Sequence, residues 1–261
     1  MKALTTAATG MLAQQLNVEV ISNNIANLNT TAFKKQRPEF QDLLYQNIER
    51  VGANTSAQGT VAPSGLQVGV GVRAASTVRL MEQGSLQQTE NTLDLAINGP
   101  GFFRIQLPNG DEAYTRGGSL QLDQNGGLVT ADGYLVQPNI VVPQEARDVS
   151  INAEGEVQVI LDGQVQPQLV GQLDLATFAN EGGLEAQGGN LFRETQASGP
   201  PNIATPGTNG FGTIEQGFLE GSNVNAVSEI TNMISAQRAY ELNSRVIRAA
   251  DEMLNAVNSI S

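Results

Sequence analysis

No cysteine, histidine or tryptophan occurs anywhere in the chain. Without cysteine there are no disulfides and no thiolate nucleophile, although that alone leaves the redox compartment open. Without histidine, the commonest general base and the commonest transition-metal ligand are missing. Histidine-based triads and Cys/His zinc sites are therefore excluded, and any enzyme reading has to rest on carboxylates brought together by folding. Aromatic residues make up 5% and apolar residues 40% of the 261 residues, enough for one large core or two ordinary ones, lean in rings. No apolar run approaches the ~20 residues that span a bilayer. Met1-Lys2 leads into small and polar residues rather than an apolar signal core. A cleaved signal is not expected, and taken alone the chain reads as soluble and cytoplasmic.

Basic charge is scarce in one region only. Residues 51–222 hold six basic and eighteen acidic groups, which accounts for the whole net charge of −12. Residues 1–50 and 223–261 together are neutral. An acidic middle repels nucleic acid and anionic membranes, so neither is expected as a partner.

Glycine and proline are scarce at both ends. No glycine follows Gly221 and no proline follows Pro206, so nothing interrupts a helix in the last forty residues. Met233, Tyr240, Ile247 and Leu254 recur every seventh residue, with Ala236, Asn243, Ala250 and Val257 three further on. That is an a/d seam, widened by Ala239, Val246, Met253 and Ile260. A helix over 223–260 is roughly 57 Å long at about 1.5 Å per residue and needs a partner of matching length. Residues 1–28 carry a second helical pattern in Leu4, Ala7, Met11, Val18, Ile21, Ile25 and Leu28. It is either an ordinary amphipathic helix or the partner of the C-terminal one, within the chain or between chains. Asn23, Asn24, Asn27 and Asn29 then follow one another closely; they are a fraying helix end or a set of amides that bond neighbouring chains. Pro38-Glu39, with Phe40, Leu43 and Leu44 on one face, reads as a helix start. The polar run from Gln46 to Gly59 reads as a linker.

From about Arg73 to Glu220 the period changes to two, as in Phe103, Ile105 and Leu107 or Val157, Val159 and Leu161. Glycine turns such as Asn109-Gly110, Asn125-Gly126 and Asp132-Gly133 separate these runs, which predicts an all-β domain. Gly69-Val70-Gly71-Val72-Arg73-Ala74 lacks the strand-to-helix setting of a dinucleotide loop and is rejected as one. Asp123, Asn125 and Gly127 echo a calcium loop, but too few ligands fall at the required spacing, and a hairpin turn is expected. Adjacent carboxylates, as in Asp111-Glu112 and Asp251-Glu252, diverge on strands and helices and read as solvated faces.

The stretch from Ser22-Asn23-Asn24-Ile25-Ala26-Asn27-Leu28 to Phe33-Lys34 resembles the N-terminal signature of the flagellar rod and hook family. That family usually has Gly where this chain has Ala32, a difference that bears on a positive φ at that position. Asp94 to Phe103, Tyr114-Thr115-Arg116-Gly117-Gly118 and Asn125 to Val129 resemble its internal blocks. Glu220-Gly221-Ser222-Asn223-Val224, with Ala236 to Glu241 and Ala250 to Leu254, is similar to its C-terminal signature. Gln137-Pro138 and the Gln46–Pro63 insertion are closer to the distal-rod branch than to the proximal-rod or hook branches, which remain the alternatives. Outside the family, a secreted β-domain adhesin or a carboxylate hydrolase is the remaining reading.

The resemblance implies an α+β fold: residues 1–33 and 223–261 form a coiled-coil-like helical assembly domain around an outer all-β domain, 73–222. Residues 34–72 connect the two and carry a rod-specific loop. It implies a non-enzymatic subunit that polymerises helically into a stiff hollow shaft, without cofactor or metal. Self-association, proximal rod proteins, the hook protein, the surrounding P- and L-ring proteins and the flagellar type III export apparatus are the implied partners, with a final place across the periplasm. Subunit assembly is expected to rest on Leu4, Met11, Val18, Ile21, Ile25, Leu28, Asn23, Asn24 and Asn27 at one end. At the other it rests on Met233, Tyr240, Ile247, Leu254 and Val257.

Overall fold

The computed structural model describes residues 2–49, 64–163 and 166–260. It is an α+β protein whose residues divide into two compact units. The first comprises residues 1–26, 36–79 and 225–261, and the second residues 27–35 and 80–224.

The first unit holds helix α1, Lys2–Ala26, and helix α2, Ala226–Ile260. Gly10 lies against Asn243, and Asn24 against Glu229, so the two helices run antiparallel. Asn225 caps α2: its side-chain oxygen accepts the Ser228 N–H at 3.1 Å. At about 1.5 Å per residue, 35 residues outrun 25 by roughly 15 Å, which leaves the C-terminal end of α2 without an α1 partner.

Two antiparallel ribbons complete this unit, Gln36–Asp42 with Val72–Arg79 and Tyr45–Glu49 with Leu66–Gly69. Both correct the expectations for this segment. Pro38 does not start a helix; it forces Arg37 into an extended conformation and sits in a two-stranded ribbon, where its missing N–H is tolerated. Arg37 bonds Glu39 two residues on at 2.7 Å, and Arg73 bonds Gln41 directly across the ladder at 3.0 Å. The run from Gln46 is strand as far as Glu49 rather than linker. The rest of the Gln46–Pro63 insertion, 50–63, lies outside the described residues.

The second unit is β throughout apart from one short 3-10 turn. Among the described residues its largest sheet has nine strands, and Phe102–Gln106 is central, pairing with Glu112–Thr115, Leu135–Gln137 and Leu175–Thr177. A three-stranded sheet, Ala146–Ile151, Glu156–Leu161 and Gln168–Gln172, packs into the same core. Leu95, Ile97, Phe103, Ile105, Val157 and Leu175 are fully buried there. A second cluster gathers Phe102, Tyr114, Phe178 and Phe192, with edge-to-face rings 4.8 to 6.0 Å apart. Few aromatic residues suffice because they are concentrated. Asp123 closes a hairpin turn, its carboxylate accepting the Asn125 N–H at 2.8 Å and the Gly127 N–H at 2.6 Å. Turn geometry, not metal chemistry, explains that motif.

Candidate functional site

The helix pair of the first unit is the first candidate. Glu229, Ala236 and Ala250 are buried and Asn243 half-buried, so one stripe at seven-residue spacing faces α1. On α1 the buried residues are Ala7, Ala13, Val20, Ile21 and Asn24. On α2 the buried stripe is made of small and polar side chains. The closeness of the contact is clearest at Gly10, where an added Cβ would stand 2.9 Å from the Asn243 amide nitrogen. Asn24 ends α1 by exchanging two 2.9 Å bonds with the Gln36 backbone and donating to Glu229 at 3.2 Å. Glu229 in turn sits in the first turn of α2, where the helix dipole favours a carboxylate.

The residues expected to carry assembly are distributed unevenly over this arrangement. Ile21 and Asn24 are buried; Leu4, Met11, Val18, Ile25, Leu28, Asn27, Met233 and Ile247 are half-buried. Asn23, Tyr240 and Leu254 are exposed, and the side chain of Val257 lies outside the described residues. Asn27 accepts the Thr30 hydroxyl at 3.1 Å. Of the two rows in the heptad reading, the Ala236, Asn243 and Ala250 row lies deepest, because helices this close admit Ala, Gly and Asn between them. Large apolar side chains are displaced outward: Val227 is 75%, Leu242 60% and Met253 63% exposed, with Ile230, Ile234 and Val246 also exposed. A notch of about 380 Å³ on this pair is lined by Gln15, Val18, Glu19, Gln237, Tyr240 and Glu241.

A second site lies inside the β unit, and the charge pattern alone did not reveal it. Glu220 is fully buried and accepts Lys34 on one carboxylate oxygen and Arg116 on the other, the latter at 2.8 Å. The Gly84 N–H adds a third bond at 2.8 Å. Lys34 also donates to the Glu82 carbonyl at 2.7 Å. Arg116 donates to the carbonyls of Gly101 and Gly99 at 2.9 Å and of Ile97 at 3.3 Å, with its guanidinium 5.8 Å from the centre of the Phe102 ring. Burial pushes the Glu220 carboxyl up, but Arg116 and Lys34 outweigh it and hold the group below the usual carboxylate range. For Lys34 burial wins over the attraction of Glu220, and its ammonium is pulled down.

The same place joins the incoming and outgoing chain. Ala32 donates its N–H to the Glu220 carbonyl at 2.7 Å, and Asn223 bonds the Lys35 N–H at 2.7 Å and the Leu80 carbonyl at 2.9 Å. Ala32 holds φ at +58° although it carries a Cβ, so the turn for which the resemblance suggests glycine forms here with alanine.

Three family models match parts of the chain: "Flagella basal body rod protein" over residues 4–34, "Flagellar hook protein FlgE/F/G D1 domain" over 96–159, and "Flagellar basal body rod FlgEFG protein C-terminal" over 215–260. The chain is 60% identical over 260 residues to the flagellar basal-body rod protein FlgG of Caulobacter vibrioides, covering 100% of this chain and 99% of the relative. It is 48% identical to FlgG of Borreliella burgdorferi, covering 100% and 98%, and 40% identical to FlgG of Bacillus subtilis, covering 97% of each. The chain belongs to the flagellar basal-body rod protein family. It is a structural rod subunit, and its FlgG relatives put it in the distal-rod branch. Each matched region supplies one member of the buried triad: Lys34, Arg116 and Glu220 in turn. That convergence was the signal available in the sequence, since each charge sits inside a block already singled out. Among the described residues no helix is long and apolar enough to cross a membrane.

Proposed function

We propose that this rod subunit polymerises with copies of itself through the outward face of its helix pair. One observation carries the reading: α2 holds Val227, Ile230, Ile234, Leu242, Val246 and Met253 exposed to solvent along a helix that outruns its own partner. Scattered exposed apolar residues are ordinary, but a row of them along one helix marks an interaction surface. A helical contact repeated head to tail without closing into a ring gives a filament. In this reading Met233, Tyr240, Ile247, Leu254 and Val257, with Leu4, Met11, Val18, Ile25, Leu28 and Asn23, form the seam shared between copies. Ile21, Asn24 and Asn27 hold the single chain in shape.

The polymer is a stiff hollow shaft that passes torque towards the hook, without enzymatic chemistry. The acidic β unit faces outward to the P- and L-ring proteins, and proximal rod proteins and the hook protein join its two ends. Export through the flagellar type III apparatus would carry the subunit to a place across the periplasm. We assign the Gln46–Pro63 insertion to stiffening, as a wedge that stops subunits sliding; a shaft that stays straight and stiff after its deletion would sink that assignment.

Met253→Glu and Leu242→Glu test the assembly face. Both side chains are exposed, so the monomer should keep its circular dichroism and melting behaviour while losing polymerisation by sedimentation and electron microscopy. Polymers formed at the wild-type concentration by both variants would refute the reading. Limited proteolysis gives the complementary measurement, with both termini expected to gain protection on assembly.

A further inference from the structure

Four Asn-Gly pairs occur in the chain, at Asn98-Gly99, Asn109-Gly110, Asn125-Gly126 and Asn209-Gly210. This dipeptide carries intrinsic chemistry. The glycine backbone nitrogen, once deprotonated, attacks the Asn side-chain carbonyl carbon, and no Cβ on the following residue hinders the approach. A nitrogen–carbon bond forms, the bond to the side-chain amide nitrogen breaks, and ammonia leaves. Water then opens the cyclic imide at either carbonyl, giving aspartate or isoaspartate. No oxidant, metal or enzyme is needed.

The four pairs differ in what must open before that attack can occur. At Asn98-Gly99 the side-chain amide donates to Glu215 at 2.7 Å, and the Gly99 N–H is held by Gln83 at 3.0 Å. At Asn109-Gly110 the amide is tied to Asp111 through both its oxygen and its nitrogen, and the Gly110 N–H donates to the Leu107 carbonyl at 2.9 Å. At Asn125-Gly126 the nucleophile is held by the Asp123 carbonyl at 3.1 Å. At Asn209-Gly210 neither the amide nor the glycine N–H has a hydrogen-bond partner among the described residues. Both residues are exposed at the tip of a turn closed by the Phe211 N–H on the Thr208 carbonyl at 2.9 Å. Gly210 lies at φ +91° with open space around it.

We propose that Asn209 is a site of spontaneous deamidation in the folded protein, ahead of the other three pairs. Each hydrogen bond that must open first slows the attack about fivefold to tenfold. The modification places a further carboxylate on the acidic unit and, in the isoaspartate product, inserts one extra backbone carbon into the turn between Asn202–Ala204 and Thr213–Gln216. It stands independently of the assembly reading.

The test is a time course of the purified full-length protein in mildly alkaline buffer. Peptide mapping by mass spectrometry follows conversion of amide to acid at each of the four sites, with fragmentation that separates isoaspartate from aspartate. A parallel incubation runs in denaturing urea. Asn209 is expected to convert about fivefold to tenfold faster than Asn125, and by a larger factor than Asn98 and Asn109 where more than one hydrogen bond must open, while the protein is folded; the four rates should converge in urea. A different site leading in the folded protein overturns the proposal. So does a lead at Asn209 that persists undiminished in urea, because the neighbouring sequence rather than the fold would then set the rate.

Discussion

Replacing Glu220 with Gln keeps the shape of the side chain and removes its charge. The Lys34 ammonium and the Arg116 guanidinium then share a buried site in which only the more distant Glu181 still attracts them, since among the described residues Glu220 is the acidic group in ion-pair contact with both. Breaking a buried pair from one side costs about 3–5 kcal/mol, because the stranded charge cannot regain water. The carbonyls of Glu82, Gly99, Gly101 and Ile97 still receive their donors, so the loss is confined to the charge of residue 220 and to one of its two acceptor oxygens, which becomes an NH2 facing Lys34 or Arg116. For a unit of this size about 2–4 °C of Tm accompanies each kcal/mol, so Glu220→Gln should melt about 6–20 °C lower. Calorimetry of the full chain reads this directly. Acid titration supplies a second readout. The Glu220 carboxyl lies below its ordinary value of 4.5, so its contribution is fully present above about pH 4.5 and drains as pH falls through the folded value. Lys34 also lies low, from an ordinary 10.5, so its linkage adds stability as pH rises from the lowered value towards 10.5. The variant should lose the first dependence. A Tm within about 2 °C of wild type, with an unchanged acid limb, would refute the view that this cluster organises the unit.

At Gly118 an added Cβ would fall 1.6 Å from the Leu95 carbonyl oxygen, which is backbone and cannot swing aside. Gly118→Ala should cost about 3 kcal/mol or more by chemical denaturation, at the upper end of overpacking penalties. Ala32→Gly should be near neutral, because relief of the left-handed strain offsets a buried methyl of about 0.8 kcal/mol. Ala32→Val should lose about 2 kcal/mol or more in the same assay, since a β-branched side chain fits neither that φ nor the space. The phenol of Tyr114 is pushed up by burial and by the charges of Glu112 and Glu194. That phenol should therefore ionise late in an absorbance titration, with stability falling as pH rises above about 10, where the unfolded phenol ionises first.

The two terminal helices were legible because their signals are local: seven-residue spacing, no proline, and no glycine except Gly10. The inward stripe was legible in part, since Ala236, Asn243 and Ala250 are seam positions by spacing; that they rather than Met233, Tyr240 and Leu254 sit deepest was not, because periodicity does not tell how closely the helices approach. Pro38 misled because its fixed φ suits both a helical first turn and an edge strand, and only the pairing with Val72–Arg79 decides. In the middle region the strand alternation and glycine turns were readable, and the Asp123 turn followed from Asx chemistry. The triad was hidden for a different reason. Lys34, Arg116 and Glu220 have no local periodicity in common, and their meaning lies in contacts 104 and 186 residues apart in sequence.

That separation has a temporal side. A chain delivered N-terminus first presents Lys34 early and Arg116 midway, two like charges with no buried counter-ion. Glu220 arrives only after most of the β unit has emerged. Until then, closing the site means burying cations alone, which is disfavoured by several kcal/mol. A chain that stops short of Glu220 is therefore expected to leave the β unit unclosed around Lys34 and Arg116.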